Sequence, residues 1–330
     1  MLEYNKYSFS LVFEKKVTFR SLPSFIFRNN IGFQLRKITC VLKNQECRNC
    51  ILRVSCIYSS VFETPIEKNN AVLSGRNKAP HPYAVFANVA GGTAVDGLIL
   101  DIILIGTGVR YFPYILLTML NIGKSGILKE RVKFDIDDIT CRGVSVMDKS
   151  DYSCKNVKPE IWSVNKDDII CQSDVYNNNN NLNSSGENDI KTVRINFLTP
   201  VRLQHKGRYL SGITYKDLIY AAVRRVGILN DFFGGGDISA DGGDYGFDGD
   251  FVDSATEGKE FDADLKWVDY SRYSARQKQS MKMGGLVGTA TVRGRFSEAE
   301  LSLLKAAELF GIGKNVSFGL GRIGVEVTGD

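Results

Sequence analysis

Histidine is scarce in this 330-residue sequence, which contains only His81 and His205. Neither stands in a pattern that indicates catalysis by itself. The sequence also lacks a G-x-S-x-G nucleophile elbow and a Walker lysine pattern, so it shows neither the serine-hydrolase nor the P-loop signature. A catalytic histidine would therefore have to come from one of two segments, "APHPYAVF" or "LQHKGRYL".

A long uninterrupted apolar run is also missing. The most apolar region, residues 97–123, is broken by Asp101, Arg110 and Pro113. It therefore lacks the roughly 20 consecutive apolar residues that a membrane helix needs. Lys and Arg are scattered through the first apolar stretch, unlike a signal peptide. We predict a buried strand followed by a buried helix at residues 97–123, in a soluble cytoplasmic protein that does not bind membranes.

Negative charge is concentrated in one segment. Residues 231–264 hold eleven Asp or Glu and one Lys, a local charge of −10 against +5 for the whole chain, so the rest carries +15. A basic body of this kind suggests a polyanionic partner. The acidic segment lacks the register of a calcium loop. We interpret it as a solvated loop inserted in the C-terminal half, and nucleic-acid mimicry or contact with a basic partner stay open.

The C-terminal half shows a regular alternation of strand and helix patterns. Ser297 and Glu300 stand at capping-box spacing and mark the start of one helix. Arg293 and Arg295 lie on the polar face of the strand before it, where they are candidates to bind the phosphates of a polyanion. One further strand is expected between residues 230 and 285, which gives the β-α-β-β-α-β order of a ferredoxin-like unit. The other predicted elements are strands at 193–203, 286–296 and 318–327 and a helix at 214–229.

The N-terminal half repeats this order more faintly. Both halves end with an apolar helix, a glycine turn that carries a lysine, and a strand, which indicates an internal duplication. The polar segment "DVYNNNNNLNSSGEND" at 174–189 separates the halves. We predict an α+β fold of two tandem ferredoxin-like domains, residues 1–185 and 186–330. The N-terminal elements are strands at 7–13, 83–88 and 98–105 and helices at 27–40 and 113–120.

Four cysteines lie within seventeen residues in "CVLKNQECRNCILRVSC". They are Cys40, Cys47, Cys50 and Cys56, and four thiols with a central C-x2-C suit tetrahedral metal ligation. The odd total of seven cysteines argues against a disulfide framework. We predict a structural zinc site, with an iron–sulfur cluster or free thiols as alternatives.

A glycine-rich loop, "FGIGKNVSFGLGR", follows the last predicted helix. Because the loop follows a helix, it is neither a P-loop nor a Rossmann turn, which place phosphate at a helix N-terminus. It could let a polynucleotide approach closely, with Lys314 and Arg322 for phosphates. It could equally be a tight connection packed against the neighbouring domain, with glycine required for positive φ. Its glycines are Gly311, Gly313, Gly319 and Gly321.

These segments together resemble a known family. "GIGKNVSFGLGR" is similar to the C-terminal glycine signature of the CRISPR-associated RAMP superfamily. "CRNCILRVSCIYSSVFETP", "LIGTGVRYFPYILLTMLNIGKSGILKERVKF" and "FLTPVRLQHKGRYLSGITYKDLIYAAVRRVGIL" narrow the resemblance to the CRISPR repeat-cleaving endoribonucleases, the sixth CRISPR-associated protein family. The similarity spans nearly the whole chain.

The resemblance implies a protein that binds CRISPR repeat RNA and cuts it into guide RNAs without a catalytic cofactor. In such chemistry the 2′-hydroxyl attacks the adjacent phosphate and leaves a 2′,3′-cyclic phosphate. Many relatives carry a catalytic histidine near the first helix, whereas this helix offers only basic residues for RNA, Arg28, Arg36 and Lys37. The candidate catalytic residues are His205, which the basic neighbours favour, with Lys206, Tyr209 and His81.

Two other functions stay open. One is a RAMP subunit that binds guide RNA inside an effector complex without cleaving it, and the other is a metal-binding scaffold unrelated to RNA. The charge distribution and the two glycine turns argue against the scaffold. The expected partners are CRISPR repeat RNA and, in the first alternative, effector-complex subunits, and the chain is expected to be a monomer or a homodimer.

Overall fold

The computed structural model describes residues 1–43, 45–66, 79–163, 190–234, 249–274 and 279–329. Two α+β domains follow one another along the chain, and each has an antiparallel sheet and two long helices. The boundary near residue 185 and the polar segment at 174–189 lie outside the described residues.

The N-terminal domain is built around one long central strand. That strand, β1, alternates between buried Tyr7, Phe9, Leu11 and Phe13 and more exposed neighbours, as a half-buried strand should. The order across the sheet is β2-β3-β1-β4-β5, and β6 pairs with the start of β1. The elements are β1 (Leu2–Thr18), α1 (Pro23–Thr39), β2 (Tyr83–Ala87), β3 (Ala94–Ile105), α2 (Phe112–Ser125), β4 (Phe134–Cys141), β5 (Val144–Ser145) and β6 (Glu160–Trp162).

The C-terminal domain repeats the arrangement. Its main sheet has the order β10-β11-β7-β12, and a separate two-stranded hairpin is formed by β8 and β9. The elements are β7 (Lys191–Val201), β8 (Gln204–His205), β9 (Arg208–Tyr209), α3 (Tyr215–Phe233), α4 (Gly249–Thr256), β10 (Glu260–Ser274), β11 (Gln279–Gly294), α5 (Glu298–Phe310) and β12 (Ile323–Gly329).

The two sheets share one connectivity. In each domain the first strand lies between the third and the fourth, and the second strand forms an edge beside the third. This is the arrangement of the β-α-β-β-α-β unit, so the prediction of two tandem ferredoxin-like domains is confirmed. Residues 97–123 form most of β3 and then α2, as predicted. Within the described ranges, no helix is long and apolar enough to cross a membrane.

The acidic segment is more ordered at its ends than predicted. The expectation of one loop over residues 231–264 is wrong at both ends, because α3 continues to Phe233, α4 forms at Gly249–Thr256 and β10 begins at Glu260. Phe251, Val252 and Ala255 give α4 an apolar face that packs into the domain core. Three apolar side chains among the acidic residues were therefore enough to fold a short helix.

The predicted capping box of α5 forms only in part. The Ser297 side chain accepts a hydrogen bond from the Glu300 backbone N–H at 3.1 Å, as an N-cap should. The Glu300 carboxylate turns inward instead, accepts from the Tyr215 hydroxyl, and pairs with Lys259 Nζ at 2.7 Å. A complete capping box is present at the start of α3, between Thr214 and Asp217.

Lys259 and Glu300 form a buried ion pair, with side chains 3% and 1% exposed. Burial raises the pKa of the Glu300 carboxyl and lowers the pKa of the Lys259 amine, so each shift disfavours the charged form. The attraction between the two charges opposes these shifts. The pair therefore adds little net stability, but it fixes α5 against the start of β10. Removal of one partner leaves the other as an uncompensated buried charge.

Removing one member of this pair should be costly. We expect Lys259→Met or Glu300→Gln to lower the free energy of unfolding by about 3–5 kcal/mol, and the double variant to cost clearly less than the sum. Urea denaturation measures both. The matched control is Lys216→Met, which removes an exposed partner of Asp253 and should cost below about 1 kcal/mol. Additive single costs would contradict the coupling.

Candidate functional site

The glycine-rich loop connects α5 to β12 and follows a backbone path that only glycine adopts easily. Gly311, Gly313, Gly319 and Gly321 have φ values of 69°, 79°, 88° and 77°. All four lie in the left-handed region, where a side chain strains the backbone. The density of glycine in this loop is thus required by its conformation.

The same loop is packed against the N-terminal domain. A Cβ atom at Gly319 would lie 2.1 Å from Ser24 Oγ and 2.7 Å from the Val85 carbonyl oxygen. Leu320 of the loop joins Leu22 and Phe25 from the first domain and Met283 from β11 in a small buried cluster. The loop therefore forms part of the contact between the two domains, as its structural interpretation predicts.

Arg322 fastens this contact with an ion pair. Its Nη2 atom lies 2.8 Å from Asp101 Oδ2, and its Nη1 atom donates to the Ala87 carbonyl oxygen at 3.1 Å. Lys6 Nζ approaches the same Asp101 oxygen at 3.4 Å. Arg322 is predicted from the sequence to bind RNA phosphates, but its guanidinium contacts Asp101 and Ala87 of the neighbouring domain.

A cleft of about 470 Å³ opens beside this contact. One wall comes from the N-terminal domain and includes His81 and Tyr83, and the other comes from β8, α3 and the glycine-rich loop and includes His205 and Lys206. The fold thus brings to one cleft both histidines, which are far apart in the sequence.

The charge of the cleft is mostly positive. Asp217 is the acidic residue among its lining residues, and its carboxylate is occupied by the capping box of α3. Such an excess of cations favours a polyanionic ligand. The cationic lining residues are Arg202, Lys206, Arg224, Arg225 and Lys314.

Two arginines from different domains converge on one aromatic ring at the cleft. Arg28 of α1 and Arg272 of β10 each place the guanidinium carbon 4.1 Å from the centroid of Phe318, which lines the cleft. Arg272 Nη2 donates to Asn29 Oδ1 at 2.9 Å, and within the described part of the chain no carboxylate pairs with either arginine. Desolvation and the charge of Arg28 lower the pKa of Arg272 to about 10. Like charges held together without a carboxylate make a strong site for an anion.

His81 belongs to the same group of side chains. Its ring stacks on Tyr83, with centroids 5.5 Å apart and planes 15° apart, and Phe62 lies beside both. Burial raises the pKa of the Tyr83 hydroxyl, and the nearby Arg28 opposes this shift. Arg28 also lies over Phe62, at 4.9 Å from the ring centroid. Phe62 thus lies between the imidazole of His81 and the guanidinium of Arg28 in this group of side chains.

Two family models match the chain, one in each half. Residues 195–323 match the family model described as CRISPR-associated endoribonuclease Cas6, and residues 2–161 match a model described as an N-terminal domain. The second half of the chain is therefore similar to the Cas6 family. An uncharacterized protein of Archaeoglobus fulgidus is 23% identical over 315 residues, which is 91% of each chain.

The fold is similar to that of one solved structure. A product complex of Cas6 from Thermus thermophilus aligns over 98% of this chain and 100% of that chain, with 12% identity and a TM-score of 0.51. A Cas6-related protein from Pyrococcus furiosus aligns over 98% of both chains, with 8% identity and a TM-score of 0.44. At such identities the likeness to the Thermus structure shows the Cas6-like fold alone.

Other residues assigned to RNA from the sequence lie away from the cleft. β11 pairs Leu286 with Val201 at the cleft end of β7 and Arg293 with Thr192 at the other end, roughly 20 Å along the strand. Arg295 lies beyond Arg293. At the far end of α1, Arg36 donates to the Gln45 carbonyl oxygen at 3.4 Å, and Lys37 follows it on the exposed surface.

Sequence reasoning missed two residues of the candidate site at the cleft, Arg272 and Phe318. Arg272 sits among aromatic and basic residues in "WVDYSRYSARQ", and that composition was the only indication. Its partner Arg28 is 244 positions away in the sequence, a separation that no local pattern bridges. Tyr209, predicted as catalytic, is not among the residues that line the cleft.

No disulfide joins the four cysteines of the N-terminal segment. Cys40 ends α1, Cys47 begins a short turn that Cys50 ends, and all four including Cys56 are half-buried. Among the described His, Cys, Asp and Glu residues, no three are grouped as metal ligands. Burial also raises the pKa of the Cys47 thiol, although a ligand must be a thiolate. The side chains as placed do not form a zinc or iron–sulfur site, and both metals stay predictions.

The close approach at Gly319 gives a stability prediction. We expect Gly319→Ala to lower the free energy of unfolding by roughly 3 kcal/mol, because the new methyl group adds overlap with Ser24 and Val85 to the strain of positive φ. The matched control is Gly143→Ala, at φ 73° with nothing within 4 Å, where only the conformational cost of about 1–2 kcal/mol applies. Urea midpoints compare the two variants, and equal losses would show that domain contact adds nothing.

Proposed function

We propose that this chain binds CRISPR repeat RNA and cleaves it into guide RNAs. The observation that carries the proposal is a cationic cleft between two ferredoxin-like domains that is lined by His81 and by Phe318, the ring on which Arg28 and Arg272 converge. The description of the matched family and the product complex of the Thermus protein support the same activity.

The proposed reaction is a metal-independent transesterification. The ribose 2′-oxygen attacks the adjacent phosphorus, the bond from phosphorus to the 5′-oxygen breaks, and the products end in a 2′,3′-cyclic phosphate and a 5′-hydroxyl. A base must take the proton of the 2′-hydroxyl, and an acid must supply one to the leaving 5′-oxygen. The transition state places extra negative charge on the phosphate oxygens.

The geometry supports a division of these roles between the walls of the cleft. His81 is the proposed base, because an imidazole titrates near neutral pH and this one lines the cleft and stacks on Tyr83. Arg28 and Arg272 are proposed to stabilise the charge on the phosphate oxygens. His205 and Lys206 line the opposite wall and are the proposed sources of the proton for the leaving oxygen. The sequence favours His205 as a catalytic residue, whereas we propose His81 as the general base.

Cleavage of the repeat RNA from the chain's own locus tests the proposal. With 5′-labelled RNA in EDTA, we expect a single cut and a cyclic phosphate end, and no cut when the nucleotide before the scissile bond is 2′-deoxy. We expect His81→Ala to slow the single-turnover rate by about 10²–10⁴-fold, the usual contribution of a general base. Arg272→Gln should slow it by about 10²–10³-fold.

Two comparisons make the assay decisive. Lys149→Gln removes a surface cation that pairs with Asp137, and it should cleave like the wild type. Equal rates for His81→Ala and wild type would shift the base to His205 if His205→Ala is slow. Tight, salt-dependent binding with intact RNA after incubation in EDTA would instead support a non-catalytic subunit of an effector complex.

A further inference from the structure

An exposed pair of aromatic side chains stands next to the cleft on the C-terminal domain. Tyr209 at the end of β9 and Trp267 of β10 have ring centroids 6.4 Å apart and planes 49° apart. They are 45% and 38% exposed. Burial of large aromatic rings is favourable, so two rings that contact each other and still remain exposed need a physical reason.

Both rings are held in fixed positions. The Arg202 guanidinium carbon lies 4.1 Å from the centroid of Tyr209, and the Trp267 indole N–H donates to Asp269 Oδ1 at 3.1 Å. The β8–β9 hairpin that carries Tyr209 is itself tight, because Gln204 Nε2 donates to the Gly207 carbonyl oxygen at 2.7 Å. A ring that needs no reordering loses little entropy when it binds a ligand.

The neighbouring strand β11 leaves space for the Trp267 side chain in its observed orientation. Gly284 pairs with Asp269 across the β10–β11 ladder. A Cβ atom there would lie 1.9 Å from Asp269 Oδ1 and 2.6 Å from Trp267 Nε1. The φ of Gly284 is outside the left-handed region, so the backbone does not require glycine at this position. The missing side chain makes room for the hydrogen bond that orients the indole.

The pair is next to the cleft and to its cations. Arg202 lines the cleft and stacks on Tyr209, so it joins the two surfaces. Lys206 and Arg208 project from the same hairpin and are exposed. Strand alternation places Trp267 and Arg272 on opposite faces of β10, which is an edge strand of its sheet. A strand of RNA that passes the arginine pair and rounds this edge reaches Trp267 within a few nucleotides.

We propose that Tyr209 and Trp267 form a stacking platform for one unpaired nucleobase close to the cut site. This inference rests on the proposed function for its ligand, RNA. Planar bases stack on exposed aromatic rings whatever their sequence, and the neighbouring cations attract the phosphates on either side. Because the two rings stand 49° apart, they cannot enclose a base between parallel faces, and the indole carries the stacked base while Tyr209 flanks it.

The affinity test combines a protein change with an RNA change. We expect Trp267→Ala to weaken binding of a non-cleavable 2′-deoxy repeat RNA roughly tenfold to a hundredfold, with Trp267→Phe close to wild type. The slope of affinity against salt should stay the same, since no phosphate contact is lost. When an abasic site replaces each nucleotide in turn, we expect one position where the loss of affinity equals the loss caused by Trp267→Ala. In the Trp267→Ala variant, an abasic site at that position should cause no further loss of affinity.

Fluorescence reports the contact directly. The chain has two tryptophans, so Trp162→Phe leaves Trp267 as the reporter, and stacking of a base should quench it. The matched control for the affinity test is Tyr152→Ala, which removes another exposed aromatic ring, 42% exposed in the N-terminal domain, and should bind like the wild type. Circular dichroism of each variant checks that it is folded.

The outcomes separate the two proposals. Cleavage of the RNA with no abasic position coupled to Trp267 overturns the platform and keeps the endoribonuclease. Coupling and quenching without cleavage support the platform on a chain that only binds RNA. Unchanged affinity of folded Trp267→Ala, or no RNA binding by the wild type, overturns the platform.

Discussion

The close approach of the glycine-rich loop to the N-terminal domain is the constraint on which the rest of the molecule depends. Gly319 lies against Ser24 and the Val85 backbone, where no side chain fits, and the ion pair of Arg322 with Asp101 holds the same contact. Because the loop carries Phe318, it also sets the distance between the arginines of the two domains. The glycine-rich loop therefore belongs both to the domain contact and to the candidate site.

Charge is distributed unevenly around this contact, and the unevenness separates cations that face a carboxylate from cations that do not. Arg322 and Lys6 share the carboxylate of Asp101, so part of their positive charge is compensated. Arg28 and Arg272 share an aromatic ring instead, and no carboxylate of the described residues pairs with them. A guanidinium that stacks on a ring keeps its N–H groups at the edge of the stack, and Arg272 donates from one of its nitrogens to Asn29. The other N–H groups can meet a phosphate, which is why arginine suits such sites better than lysine.

Local patterns were enough for much of the fold. Alternation along β1 and β7 and helical spacing along α3 and α5 predicted the elements because each buries one face. The site was harder, since its arginines meet through tertiary packing that spacing along the chain does not encode. The same limit explains the cysteines, whose C-x2-C spacing suits a metal although their placement does not bring three ligands together. Glu300 shows a local motif overridden, because Lys259 and Tyr215 compete for its carboxylate.

The sequence separation of the domain contact has a consequence for synthesis. Asp101 and Arg322 are 221 positions apart, so the ribosome makes the first partner long before the second. Domains fold as units during translation, the N-terminal one first. A nascent chain thus presents the wall with His81 before the glycine-rich loop exists to complete the cleft. The arrangement delays the assembly of the whole site until both domains have been translated.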